Sequence, residues 1–159
     1  MTQKVKTCFW YDTGAEEAAK LYVSLIPNSQ ITNITRYGEG QRMPAGLAMV
    51  VNFTLDGAEF MALNGGPIFK HSEAASLVVQ CDDQEEIDRL WSALLADGGK
   101  EQQCGWLKDR YGLPWQIVPK QIATFMTQGS PVQQARVMES MMGMVKIDIA
   151  TLNSAFGGG

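Results

Sequence analysis

Apolar residues recur along the first half of the chain in a pattern that predicts one strand, one helix and three further strands. Runs that alternate with the two-residue period of a strand lie at residues 4–11, 30–37, 47–55 and 58–63. A run with the helical period follows Thr13, whose spacing from Glu16 is that of a capping box, and it stops before Pro27. Asp56-Gly57 is typical of a two-residue hairpin turn between the last two strands.

The same order of elements recurs in the second half. A strand of the buried type at residues 76–81 precedes a helix that Asp82 or Asp83 caps and that ends at Gly98-Gly99. Three more strands are predicted at residues 102–104, 106–110 and 113–118. The two helices align at a constant offset of 69 residues, with matching acid pairs, leucines and aromatic residues. This repeat predicts a βαβββ unit that is made twice.

The stretch from Gly105 to Lys120 predicts a hairpin with its tight turn at Tyr111-Gly112, because Gly112 can adopt a positive φ at no steric cost. Pro114 cannot donate to a ladder, so it belongs on an edge strand or among the first residues of its strand. The charged run of residues 108–110 is expected to form a solvated edge of this hairpin.

A C-terminal segment has no counterpart in the first half. Residues 121–128 are helical in character, Ser130-Pro131 with Gln133 predicts the start of a second helix, and Asp148 is expected to cap a last one. Four methionines crowd this segment: Met138, Met141, Met142 and Met144. Because methionine is soft and adaptable, we expect them to pack against the sheets or against a second subunit.

These elements predict a single α+β domain over residues 1–159. It contains a first βαβββ module at 4–66, a second at 74–119 and C-terminal helices at 120–156. Each small sheet has one face covered by a helix and one apolar face that must pack on something. Two such units would form a curved, barrel-like mixed sheet around a cavity, with both helices outside.

Composition narrows the range of partners. The chain is 45% hydrophobic and 19% charged, and its formal charge of −4 without a basic run argues against a nucleic-acid partner. No apolar run approaches the roughly 20 residues that span a bilayer, and the start of the chain does not resemble a signal peptide. Three cysteines without paired spacing indicate free thiols. We therefore predict a cytoplasmic protein that binds neither nucleic acid nor membrane.

Long strings of the sequence resemble one family. They are FWYDTGAEEAAKLYVSLIPNSQIT, NGGPIFKHSEAASLVVQCDDQEEIDRLWSALL, QCGWLKDRYGLPWQIVP and QARVMESMMGMVKIDIATL. The family is the PhnB-like group, often labelled 3-demethylubiquinone methyltransferase-like, of the glyoxalase/bleomycin-resistance/dioxygenase (vicinal oxygen chelate) superfamily. The resemblance covers about residues 4–156, and it implies the paired βαβββ fold that the repeat also predicts.

In the metalloenzymes of that superfamily, the first and last strands of each module supply His and Glu ligands. The resemblance places these positions at Thr7, at Phe60 or Met61, at Ser76 and at Gln116. None of them has an imidazole, thiolate or carboxylate, so a divalent metal should bind poorly. We predict no metal site and no cofactor, although a metal held in an unusual way, for example through His71, stays open.

Five residues are candidates for binding a ligand in the cavity: Trp10, Asn64, His71, Trp106 and Gln116. Gln116 can orient a polar group or merely bond the neighbouring backbone, and the tryptophans can wall an apolar pocket or simply pack in the core. The Asn64-Gly65-Gly66 turn can present N–H groups to an anion or simply leave the module.

Two other side chains have possible chemistry. His71, the only histidine of the chain, can act as a general base if the linker folds over the cavity, or it can lie at the surface. Cys104 is a candidate reactive thiol, but no histidine or cationic cluster near it in sequence would activate it. The catalytic residues, if there are any, stay unknown.

Three functions follow from the resemblance. The first is a glyoxalase/dioxygenase-superfamily enzyme that acts on a small organic molecule. The second is a metal-free protein that sequesters a planar compound, as bleomycin-resistance relatives do. The third is a methyltransferase, which is disfavoured because no glycine-rich nucleotide loop follows the first strand. The expected partners are a small-molecule ligand and a second copy of the chain in a homodimer.

Overall fold

The computed structural model describes residues 3–158, and residues 1, 2 and 159 lie outside the described part. The described chain forms eight strands and five helices, which confirms the predicted α+β class. It divides into two compact units, Met1–His71 and Ser72–Gly159, whose boundary falls between the two predicted modules. No helix among residues 3–158 is long and apolar enough to cross a membrane.

The first unit contains one helix and a four-stranded sheet. Its elements are β1 (Thr7–Tyr11), α1 (Ala15–Leu25), β2 (Gln30–Arg36), β3 (Ala48–Leu55) and β4 (Ala58–Asn64). The strand order is β1-β4-β3-β2, with β1 parallel to β4 and the other pairs antiparallel. Asp56 and Gly57 both have positive φ, of 48° and 82°, which confirms the predicted two-residue hairpin turn.

The start of α1 differs from the capping box predicted at Thr13. The N-cap residue is Gly14, and no side chain of the cap accepts a hydrogen bond. Instead the buried amide oxygen of Asn64, at the end of β4, accepts a bond of 2.9 Å from the Ala15 N–H. A residue distant in sequence therefore replaces the local cap. The capping box predicted from the spacing of Thr13 and Glu16 is wrong.

The turn after β4 holds several parts of the first unit together. The Asn64 amide nitrogen donates to the Ala48 carbonyl, and the Asn64 carbonyl accepts from the Tyr37 hydroxyl. The next carbonyl, that of Gly65, accepts from Arg42. The start of α1, the start of β3 and the loop before β3 all converge on this turn.

A surface ion pair ties α1 to β2. The Glu16 carboxylate accepts hydrogen bonds of 2.8 and 3.2 Å from the Arg36 guanidinium and lies 2.9 Å from the Lys20 ammonium. The bonds from Arg36 first, and then from Lys20, lower the pKa of Glu16 from 4.5 to about 2.

The second unit repeats the topology of the first. Its strands are β5 (Leu77–Cys81), β6 (Lys100–Glu101), β7 (Trp106–Lys108) and β8 (Pro114–Pro119), in the order β5-β8-β7-β6. Again the first and last strands pair in parallel, and α2 (Gln84–Leu95) follows the first strand. The Asp83 side chain caps α2 by accepting from the Glu86 N–H, as the sequence predicted.

The strand predicted at residues 102–104 is wrong. The strand lies just before these residues, at Lys100–Glu101 (β6), and Cys104 adopts a left-handed backbone with φ of 59°. The N–H groups of Cys104 and Gly105 donate to the carbonyls of Met144 and Val145, in the C-terminal segment. The backbone here bonds to a late segment rather than extending the sheet, which local sequence cannot reveal.

The hairpin after β7 forms, but its turn is one residue longer than predicted, since Lys108 pairs with Pro114 and the Asp109 N–H donates to the Leu113 carbonyl. Its edge is also not fully solvated. Gly112 has a φ of 86°, and Pro114 is the first residue of β8. Asp109, however, is only 3% exposed. Its carboxylate accepts from the N–H groups of Tyr111 and Leu113 and from the Trp115 indole, so it organises the turn from within.

Three helices complete the second unit: α3 (Gln121–Gln128), α4 (Pro131–Met142) and α5 (Ile149–Gly157). The capping box at Ser130 and the cap at Asp148 are both confirmed. The Gln84 side chain joins this segment to α2, because it donates to the Ile147 carbonyl and accepts from the Ile149 N–H.

The methionines of the C-terminal segment pack only in part. Met138 and Met142 stay 44% and 66% exposed on α4. The predicted homodimer would give them a partner surface, and it stays a prediction, as does the cytoplasmic location.

The Asn64 network generates a stability prediction. Asn64→Ala leaves the buried Ala15 N–H and Ala48 carbonyl without their side-chain partner, so unfolding free energy should fall by about 2–4 kcal/mol. Urea unfolding followed by circular dichroism measures this loss. Asn33→Ala, at an exposed position of β2, is the matched control. Equal stabilities for the two variants would contradict the role of the Asn64 amide.

The Glu16 ion pair generates a pH prediction. Because the folded pKa lies below the unfolded value of 4.5, the stabilisation is complete above that pH and is lost as pH falls towards about 2. Glu16→Gln should therefore lower stability near neutral pH, by under about 1 kcal/mol for so exposed a pair, and have little effect at about pH 2. Urea unfolding at both pH values measures the difference. Glu17→Gln, on the same helical turn, controls for the helix dipole; a Glu16→Gln effect that persists unchanged in acid would refute the assignment.

Candidate functional site

Each sheet has one face that its helix covers and one open face. In the first unit the covered face carries Phe9, Tyr11 and Phe53, which are buried, and the Tyr11 hydroxyl lies 3.0 Å from that of Tyr22 on α1. Since side chains alternate along a strand, Cys8 and Trp10 belong to the opposite, open face.

Trp10 is held against the turn that follows β4. Its indole nitrogen donates to the Gly66 carbonyl at 2.9 Å, and its ring meets that of Phe69 edge to face at 5.0 Å. A Cβ at Gly65 would lie 2.2 Å from the indole ring, so only glycine fits beneath it. Trp10 therefore fastens the linker, and much of its ring is already engaged.

Asn64 lies on the covered face, opposite Tyr11 in the parallel pair, and it is fully buried. The Gly65 and Gly66 N–H groups donate to the carbonyls of Tyr11 and Asp12. These backbone donors are used within the fold, so the turn does not offer them to an anion. The structure thus supports the alternative that the turn simply leaves the module.

His71 packs beside β1 on the covered side. Its ring lies 5.8 Å from that of Phe9 and 5.3 Å from that of Tyr11. Its Nε2 atom is buried and has no hydrogen-bond partner within the part of the chain that the structure describes. Because Trp10 extends from the other face of β1, the structure does not bring His71 and Trp10 together.

The second unit places two of the predicted residues side by side. Trp106 on β7 pairs with Gln116 on β8, and Gln116 pairs in turn with Val78 on β5. The three side chains form a row across one face, which we call the open face, and Leu107 and Trp115, which alternate with them, belong to the other and are buried. On the open face itself Pro114 and Val118, beside Gln116 on β8, are also buried. Val78 is 52% exposed, and Trp106 and Gln116 are half-buried.

Hydrogen bonds orient the groups around this row. The Gln116 amide nitrogen donates to the Ser76 hydroxyl at 3.0 Å. Next to Trp106 along the same face of β7, the Lys108 ammonium lies 2.6 Å from the Glu73 carboxylate, which also accepts from Gln102. The bond from Lys108, followed by that from Gln102, lowers the pKa of Glu73 to about 2, so this carboxylate stays ionised.

The positions that the resemblance assigns to metal ligands do not fit a divalent metal. Thr7 and Phe60 pair with each other on the covered face, beside Phe9 and Phe53. Met61 belongs to the open face, opposite Cys8. In the second unit the positions hold only a hydroxyl and an amide. Among residues 3–158, no three His, Cys, Asp or Glu side chains form a group that could hold a metal.

The three thiols show no sign of activation. Burial raises the pKa of the Cys81 thiol to about 12, and partial desolvation also raises that of Cys8 although the side chain is exposed. Cys104 is half-buried in the left-handed turn before β7. The pKa values of Cys8 and Cys81 favour protonated, unreactive thiols.

A cleft of about 500 Å³ in the second unit escaped sequence reasoning. It lies where α2, α3 and α5 begin, and its walls include Asp82, Asp83, Gln121 and Asp148. Two of these carboxylates cap helices, and Asp82 pairs with Lys120. The acidic groups are therefore explained by the fold.

Sequence reasoning also missed how Glu73 and Asp109 act. Asp109 was predicted to lie on a solvated edge. However, the side chain of an aspartate in a turn commonly accepts a hydrogen bond from the backbone N–H two residues later. Glu73 lies far from its partners in sequence, and nothing local could identify it.

Comparisons with known proteins agree with this fold. A sequence profile of the family described as 3-demethylubiquinone-9 3-methyltransferase matches residues 3–118. The PhnB protein from Bacillus cereus is 35% identical with a TM-score of 0.69, and the match covers 74% of this chain and 99% of that one. No match was found among the curated proteins.

Two more distant solved structures share the fold alone. Protein PA1353 from Pseudomonas aeruginosa is 18% identical, with a TM-score of 0.61 over 75% of this chain and 98% of its own. The fosfomycin resistance protein FosX from Listeria monocytogenes, in complex with Mn(II) and sulfate, is 13% identical, with a TM-score of 0.52 over 74% and 91%. The profile match and the B. cereus relative show that the chain belongs to the PhnB-like, 3-demethylubiquinone-9 3-methyltransferase family of the glyoxalase (vicinal oxygen chelate) superfamily.

Proposed function

We propose that this protein binds a small, planar organic molecule on the open face of its second sheet, without a divalent metal. The observation that carries the proposal is the row of Trp106, Gln116 and Val78 across three adjacent strands. An indole ring, an exposed aliphatic side chain and an amide fixed by Ser76 supply the apolar area and the few oriented polar groups that ligand sites use.

The proposal concerns binding because the row contains no evident catalyst. Indole, amide and isopropyl groups neither take up nor release a proton near neutral pH. The nearest titratable groups, Lys108 and Glu73, bond to each other. A sequestering protein therefore needs fewer assumptions than an enzyme, and turnover of a bound compound would favour the enzyme.

The methyltransferase activity in the family description is not part of the proposal. Between β1 and α1 lie only three residues, Asp12, Thr13 and Gly14, which leave no room for a glycine-rich loop around a nucleotide-like methyl donor.

The absence of suitable donors predicts the metal content. Protein purified untagged and without chelator should contain far less than one divalent ion per chain, measured by plasma mass spectrometry. Added Mn²⁺ or Zn²⁺ should leave its thermal unfolding unchanged, because hydroxyl and amide groups alone bind such ions weakly. About one ion per chain together with a stabilising shift would overturn the metal-free part of the proposal, and His71→Ala would then show whether His71 holds it.

The position of Trp106 predicts which aromatic residue matters for binding. Trp106→Ala should weaken binding of a planar aromatic probe about 10-fold or more, since stacking area and an apolar wall are lost. Trp10→Ala is the matched control, because Trp10 is also half-buried on an open face but is fastened to Gly66 and Phe69. Ligand-observed NMR titration measures both, with circular dichroism to confirm folding. A loss confined to Trp10→Ala would move the site to the first unit.

A further inference from the structure

The bond between Gln116 and Ser76 bears on which compounds the open face accepts. An amide side chain carries an acceptor at one end and two donors at the other, and rotation about its last bond exchanges them. Here the nitrogen end is taken by Ser76 at 3.0 Å. In this orientation the Gln116 carbonyl oxygen has no partner among the described residues.

Donors remain available beside that oxygen. The Gln116 amide nitrogen has a second hydrogen, and the Ser76 hydroxyl, which accepts from Gln116, still has its own hydrogen to donate. The face thus offers one acceptor and adjacent donors. A ligand that matches this set has a hydrogen-bond donor and an acceptor next to each other.

The charged side chains on this face disfavour anionic ligands. Lys108 is the one cationic side chain that β5, β7 and β8 place on this face. Its ammonium is held at 2.6 Å by Glu73, which stays ionised. A carboxylate or phosphonate ligand would have to displace Glu73 or meet its negative charge, so the face favours neutral compounds.

We propose that the open face of the second unit selects a neutral, planar compound with adjacent N–H and C=O groups, such as a lactam, and that Gln116 determines this specificity. The ring stacks on Trp106, the ligand N–H donates to the Gln116 oxygen, and the ligand carbonyl accepts from the Gln116 or Ser76 donors. The inference rests on the binding function proposed above and adds the chemical class of the ligand.

Three probes separate the contributions: oxindole, which has the lactam edge; N-methyloxindole, which lacks the donor; and naphthoate, which is anionic. Dissociation constants come from protein-observed NMR titration of the full chain. Oxindole should bind about 10-fold more tightly than N-methyloxindole, since the methyl group removes one hydrogen bond and blocks the approach to a second. Naphthoate should bind more weakly than oxindole.

Variants assign the preference to particular residues. Gln116→Leu keeps the apolar area but removes both polar ends, so the ratio between oxindole and N-methyloxindole should fall to about one, which mere loss of folding would not produce. Gln80→Ala, an exposed glutamine on the same face of β5, should leave the ratio unchanged. Glu73→Gln should strengthen naphthoate binding several-fold by freeing Lys108.

The outcomes distinguish this inference from the function on which it rests. Equal binding of oxindole and N-methyloxindole to the wild type, with both lost in Trp106→Ala, would overturn the lactam preference and keep the binding function. Tightest binding of naphthoate would overturn the neutral-ligand argument. No detectable binding of any probe would overturn the proposed function and this inference with it.

Discussion

The parallel pairing of the first and last strands is the constraint on which each module depends. β1 lies beside β4, and β5 lies beside β8, in the same position of the same strand order. A parallel pair needs a long connection, and in each unit the helix and two further strands supply it. The pairing brings the two ends of a module together and decides which residues of both strands share a face. The shared face of Val78 and Gln116 follows from that alternation.

The two modules close this pair with the same backbone bond and different side chains. The Gly65 N–H donates to the Tyr11 carbonyl, and the Lys120 N–H donates to that of Cys81, one residue beyond the paired Pro119. The helix start beside this junction is held differently in each case. In the first module Asn64 reaches across to α1, whereas in the second Asp83 caps α2 locally.

Because Asp83 caps α2, the side chain of Gln84 can bond to another segment. Gln84 begins α2 as Ala15 begins α1, at the same offset of 69 residues. Its side chain bonds the backbone of Ile147 and Ile149, so it anchors the C-terminal helices that the first module lacks. The two modules therefore share backbone topology while their side chains have separate structural roles.

The sequence predicts those features whose cause is local. The capping box at Ser130, the cap at Asp148 and the left-handed turn at Asp56-Gly57 depend on residues within a few positions, and all three are confirmed. The capping box predicted at Thr13 was wrong, because the side chain of Asn64, which is distant in sequence, accepts from the Ala15 N–H at the start of the helix. Of the candidate site, only the hairpin was predicted: a two-residue turn at Tyr111-Gly112 would pair Gln116 with Leu107, whereas the structure pairs it with Trp106.

Strand faces were harder to predict, since an error of one residue exchanges them. The resemblance assigns metal-ligand positions to Thr7 and Phe60, but the register places them beside Phe9 and Phe53 on the face that α1 covers. The ion pair between Glu73 and Lys108 joins residues 35 apart, and no periodic pattern encodes it. Such contacts exist only once the chain is folded.

The open face of the second unit carries side chains that differ from those of a metal site. A metal site needs ligands that are anionic or basic enough to replace water, and position alone does not provide them. At the positions that the resemblance assigns to metal ligands, Ser76 and Gln116 bond to each other. Each polar group therefore already has one hydrogen-bond partner. We propose that this pair of neutral groups recognises shape and hydrogen-bond pattern, where a metal would recognise charge. Trp106 beside them adds area without adding charge. In the proposed function, the same strand geometry binds an uncharged ring instead of polarising a substrate oxygen.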